Sequence, residues 1–114
     1  MTFRKSKIDR IITALSWLRE NPYQDWYGGK TDGFCNQLLV VFKHHRNSND
    51  AIPLTLNWCY GISKYLSRYV RDCKELSSSE KSKYNNLSLE FHELCYYQDH
   101  CKNHVCDYLH ITED

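Results

Sequence analysis

The 114-residue sequence predicts an all-α fold, a compact bundle of four to five helices in one domain over residues 1–114. Three observations carry that prediction. Apolar residues recur three and four positions apart through most of the chain, the spacing of helices with one buried side. Ser, Thr and Asp stand where such stretches begin, and these residues satisfy the orphan amides of a first helical turn. The length suits one domain rather than two, and only two Pro and four Gly argue against a disordered or low-complexity chain.

The first helix follows from Ser6-Lys7-Ile8-Asp9, which has the spacing of a capping box. Ile8, Ile11, Ile12, Leu15 and Leu18 then make a continuous apolar stripe. Asn21-Pro22 ends it, because the residue before proline avoids the α region. Residues 21–33 read as a loop holding three of the four glycines and the aromatics Tyr23, Trp26 and Tyr27. Thr31 or Asp32 can cap a second helix whose buried side is Phe34, Cys35, Leu38, Val41 and Phe42. Its run Leu38-Leu39-Val40-Val41-Phe42 also suits a strand, but no partner strand is apparent, which favours helix.

After the polar stretch His44–Asp50, Thr55 can cap a long third helix with Cys59, Ile62, Leu66, Val70 (or Tyr69), Cys73 and Leu76 toward the core. Ser77 and Glu80 again have capping-box spacing. They open a fourth helix with Tyr84, Leu87, Phe91, Leu94, Cys95 and Gln98 on one side. Asp99 can cap a short last helix through about Leu109.

Charge and thiols limit the function classes. The net charge of +1 excludes a strongly basic nucleic-acid coat or an acidic mimic of nucleic acid. It conceals an asymmetry. Residues 1–30 hold six basic and three acidic side chains, residues 61–90 six and four, and residues 91–114 one and five. No apolar run reaches the roughly 7–15 residues of a secretory core or the roughly 18 of a membrane span. The expected location is therefore the cytoplasm, where the six Cys stay reduced rather than forming three disulfides.

Three places carry candidate chemistry. The tail holds seven of the twelve Cys and His residues between His92 and His110. His92 and Cys95, with Cys101 and His104 on a following helix, have the i, i+3 spacing that lets two helical turns close a tetrahedral structural zinc site. The plainer reading, which is favoured, has Cys95, Cys101 and Cys106 as small buried side chains and the His residues at the surface or hydrogen-bonded. On the third helix, Lys64, Arg68 and Arg71 fall on one side with Tyr65 and Tyr69 beside them and Trp58 lower down, a pattern suited to an acidic partner surface or to phosphates. Arg4, Lys5, Lys7 and Arg10 extend that patch if the first helix lies beside the third. In the loop, Trp26 and Tyr27 stand next to glycines as aromatic interface anchors. Gly28-Gly29-Lys30-Thr31 lacks the first glycine of a phosphate loop, since Gln24 occupies its place.

No nucleophile elbow, HExxH or nucleotide fingerprint occurs, so the chain reads as a non-enzyme. The expected function is a small binding protein without a cofactor, a stoichiometric inhibitor or immunity-type factor of the kind carried by phages or mobile elements. Trp26, Tyr27, Lys64, Arg68 and Arg71 would cover a site on a partner protein. The alternative is a nucleic-acid-binding regulator whose tail holds a structural zinc through His92, Cys95, Cys101 and His104.

Overall fold

Ile8, Ile11, Leu15 and Leu18 are fully buried or nearly so in the computed structural model of the chain, which describes residues 1–22, 33–96 and 103–114. They lie on helix α1 (Lys5–Glu20). The helix ends just ahead of Pro22, with the Asn21 amide and side chain both donating to the Trp17 carbonyl at 2.9 Å. Helix α2 (Gly33–His45) buries Cys35, Leu38, Leu39 and Phe42, so the Leu38–Phe42 run is helical. Helix α3 (Leu56–Asp72) starts at Thr55, whose Oγ1 accepts the Trp58 amide at 3.2 Å. Before helix α4 (Ser78–Tyr96), the Glu80 amide donates to Ser77 Oγ at 3.2 Å and the Ser77 amide donates to Glu80 Oε1 at 3.4 Å. That is the reciprocal box expected there.

The all-α expectation is overturned by a sheet. Strands β1 (Thr2–Arg4), β2 (Ile52–Thr55) and β3 (Val105–Thr112) join in the order β1-β3-β2. The last helix expected up to Leu109 is therefore absent over Val105–Leu109, where β3 is the central strand. β1 runs parallel to it, with Phe3 opposite Ile111, and β2 antiparallel, with Ile52 opposite Leu109. The cause is visible in the side chains. From Asp107 on, Leu109 is buried and Asp107 and Ile111 are half-buried, while Tyr108, His110 and Thr112 are exposed; ahead of them Val105 and Cys106 are both half-buried, where the pairing with β2 shifts register. That is the two-residue period of a strand with one covered face. Phe3, Ile52, Leu54 and Leu109 merge with the helical core from the sheet's inner face. Pro53 faces out on β2, at the sheet edge, where its missing N–H removes no ladder bond.

β1 also explains why the first capping box does not form. The chain enters α1 directly from the strand, with Arg4 at the cap position and no side-chain cap. Ser6 instead donates from both its amide and its hydroxyl to Asp114 Oδ1, at 3.2 Å each. Asp9 pairs with Arg46, at the end of α2, in a two-pronged contact. The Arg46 guanidinium holds the Asp9 carboxyl below the ordinary carboxylate range.

The charge asymmetry of the sequence has a structural use at this junction. The Met1 amine meets Asp107 Oδ2 at 3.1 Å, Lys5 meets Glu113 at 2.6 Å and Lys7 meets Glu90 at 2.9 Å. The basic start of the chain is thus matched, cation to carboxylate, by acids of α4 and the chain's last residues. No helix among the described residues is long and apolar enough to cross a membrane.

Candidate functional site

The α3–α4 packing shapes the site. Small side chains let the two helices approach: Ser63 and Ser88 are buried between them, and Ser67 adjoins. The Ser88 hydroxyl donates to the Ser63 carbonyl at 2.8 Å. Ser88 Oγ also stands 3.1 Å from Ser63 Oγ and 2.9 Å from Ser67 Oγ. A hydroxyl has one proton to give. With the Ser88 proton committed to the carbonyl, the Ser63 and Ser67 hydroxyls donate to Ser88.

Lys64, Arg68 and Arg71 all line one cleft of about 800 Å³ above this seam. Tyr60 and Tyr65 flank them, and Ser63 and Ser67 complete the α3 side. His92 reaches the same cleft from α4. A second recess of about 400 Å³ adjoins it, sharing Tyr60, Lys64 and Tyr65 and adding Phe34, Asn57 and Gly61. Gly61 leaves room there. A Cβ at this position would lie 2.2 Å from a Phe34 ring carbon, so the glycine lets Phe34 rest on α3 and tilt against Tyr65, with ring centroids 6.2 Å apart.

The three cations play different parts. Lys64 is exposed and stands 4.9 Å from the Tyr60 ring centroid, a cation–π contact. The Arg68 side chain is 13% exposed; its Nη2 donates to the Asn21 carbonyl at 3.1 Å, tying the end of α1 to α3. Arg71 is exposed and forks onto Asp72, at 2.8 and 3.3 Å. Asp72 also lies 3.6 Å from Arg68 Nε. The Arg71 hydrogen bond holds the Asp72 carboxyl below its ordinary range, with Arg68 and Lys74 adding to the effect. One acid thus faces two of the guanidiniums that line this cleft, beside its tyrosines and serines.

The structure rearranges the aromatic part of the sequence pattern. Tyr65 lines the cleft, but Tyr69 is buried and stacks edge-on between Trp17 and Tyr84. Burial, with Tyr84 nearby, pushes the Tyr69 hydroxyl well above its ordinary range. Trp58 packs against the core instead of the cleft. Tyr60 and the serines were missed by the sequence reading, and His92 was read as a zinc ligand rather than as part of this cleft. Only Tyr60 left a signal, its i, i+4 spacing to Lys64. The N-terminal cations do not extend the patch. Arg4, Lys7 and Arg10 line a different, smaller cleft beside β1, where Lys7 covers the Phe3 ring at 4.5 Å and pairs with Glu90.

The other candidates fall in several places. Trp26, Tyr27, residues 28–31, the Thr31 or Asp32 expected as a cap, Gln98, Asp99 and Cys101 lie outside the described residues, as does the Cys95 side chain. Of the proposed zinc ligands, His92 lines the α3 cleft, while His104 sits exposed in the turn before β3 rather than on a helix. Among the described residues no three His, Cys, Asp or Glu side chains gather as a metal-binding group. Cys35, Cys59 and Cys73 are buried in the core, and Cys106 is half-buried on β3. No known protein family, curated protein or solved structure matches the chain.

Proposed function

We propose that the protein acts by binding rather than by catalysis, and that its α3 cleft covers an acidic site on a partner protein. The observation that carries this reading is the convergence of Lys64, Arg68 and Arg71 with Tyr60 and Tyr65 on one cleft. Arginine and tyrosine are the side chains that most often anchor protein interfaces. Cations set around them favour a partner of opposite charge and speed its approach. Such a protein works one to one, as an inhibitor or immunity-type factor does, and needs no cofactor. We place it in the cytoplasm, in keeping with Cys35, Cys59 and Cys73 serving as small buried core side chains.

The test is capture of partners from host lysate on the tagged chain, with and without nuclease. A stoichiometric protein partner should survive nuclease and be lost with the double reversal Lys64→Glu/Arg71→Glu. Both residues are exposed, so the variant should melt like the parent. Trp26→Ala/Tyr27→Ala is the second arm, since the sequence offers these two as further anchors. Equal capture by the charge-reversed variant, or capture that disappears with nuclease, would overturn the reading.

A further inference from the structure

We infer that the α3 cleft takes an extended segment of the partner, with acidic side chains toward Arg71 and an apolar side chain toward Phe34. This deepens the reading above and rests on it. Three observations carry it.

The first is length. The two recesses share Tyr60, Lys64 and Tyr65 and so form one groove along α3, from Asn57 to Arg71. Those ends are about 21 Å apart at the helical rise of 1.5 Å per residue. An extended chain crosses that distance in about six residues.

The second is polarity. Toward Asn57 the groove is built from Phe34, Tyr60 and Gly61, and toward its other end from Arg68 and Arg71, with Lys64 and Tyr65 between. A ligand must therefore be amphiphilic along its length.

The third is the direction of the hydrogen bonds. Because the Ser63 and Ser67 hydroxyls donate inward to Ser88, Ser67 presents lone pairs to the groove. It is an acceptor there. An extended peptide brings backbone N–H donors to such a wall. A phosphodiester backbone brings acceptors alone, and a helix has its interior N–H groups already satisfied. The groove thus combines cations for carboxylates with an acceptor for a main-chain amide, which fits a linear acidic peptide better than a nucleic-acid strand.

The experiment selects a displayed library of random linear peptides, about seven residues long to span the groove, on the intact chain. Enriched sequences should carry acids at one end and an apolar residue at the other. Lys64→Glu/Arg71→Glu should weaken the enriched peptides about tenfold or more, the effect of losing roughly 1.4 kcal/mol. Ser67→Ala should weaken them about threefold to tenfold, as loss of one net hydrogen bond does. Arg68 is left intact because it ties α1 to α3. Enriched peptides without acids, or equal affinity for the charge-reversed variant, would overturn the inference. So would an oligothymidylate that displaces the enriched peptides from the groove. If lysate capture depends on Lys64 and Arg71 while the library yields no enrichment, the linear segment is wrong and the protein-binding reading stands. If capture fails too, both fall.

Discussion

Two regions of this chain handle charge in opposite ways. At the junction of β1, α1 and β3, three cations each meet a carboxylate of their own: the Met1 amine with Asp107, Lys5 with Glu113, and Lys7 with Glu90. On α3, Arg68 and Arg71 share Asp72, and Lys64 faces an aromatic ring. The first arrangement holds two ends of a chain together. The second lines a groove with cations. Changes at the junction should therefore cost stability, and changes at the groove should alter binding.

The largest expected effect tests the junction. Leu109 is fully buried at the middle of the central strand, opposite Ile52. Leu109→Ala should destabilise the fold by about 2–5 kcal/mol, the range for deleting a buried leucine. A urea titration reads this as a lower midpoint. A loss below about 1 kcal/mol would mean that β3 contributes little to the core.

Much of this division was hidden in the sequence, for reasons that particular residues make plain. The helices announce themselves. Ile8, Ile11, Leu15 and Leu18 have the right spacing, Thr55 caps as expected, and Ser77 with Glu80 forms its box. The strands do not. β1 and β2 are three and four residues long, too short for alternation to show. The alternation of Val105, Asp107, Leu109 and Ile111 was visible, but the Cys and His residues interleaved with it invited a ligand reading. Without an evident partner strand, its period of two had nothing to pair with. In the groove, the cationic stripe was legible because it lies on one helix. His92, Phe34 and Ser88 were not, because α4 and α2 bring them in from a distance.

A middle-sized effect belongs to the seam beneath the groove. Ser88→Ala removes the donor to the Ser63 carbonyl and the acceptor shared by Ser63 and Ser67. Stripping buried polar groups of their partner should cost about 1–3 kcal/mol. It also frees the Ser67 hydroxyl to rotate and donate. Peptide binding should weaken in this variant beyond what its loss of stability explains, and isothermal titration at a temperature where the variant is fully folded measures that.

Acid should act through the junction. Burial pushes the Asp107 carboxyl up, but hydrogen bonds from the Met1 amine and the Tyr108 amide outweigh it, so Asp107 ends below its ordinary value. Asp9 is held down likewise by Arg46. A carboxyl lowered by folding stabilises the native state above its unfolded value, about 3.9. That contribution is lost as pH falls through the lowered folded value. The fold should thus be steady from neutral pH to about pH 4 and weaken below it. Asp107→Asn should shrink the drop in urea midpoint between neutral and acid conditions. An unchanged drop would remove Asp107 from the clamp.

The smallest effect on stability, and the sharpest for the comparison, comes from Asp72. It is the acid nearest the groove's cationic end, touching Arg71 at 2.8 Å and Arg68 at 3.6 Å. At the junction, removing an acid strands a cation that holds the fold. On α3, Asp72→Asn should instead unmask one. The stability change should stay within about 1 kcal/mol, since Arg71 and Asp72 stand at the surface and the mostly buried Arg68 side chain keeps its bond to the Asn21 carbonyl. Affinity for an acidic partner should rise about twofold to fivefold, the worth of one exposed ion pair. Higher salt should narrow that gain, because added ions screen the uncovered guanidiniums. Were Asp72→Asn to weaken binding, Asp72 would be placing Arg71 for the partner rather than competing with it, and the groove would resemble the junction after all.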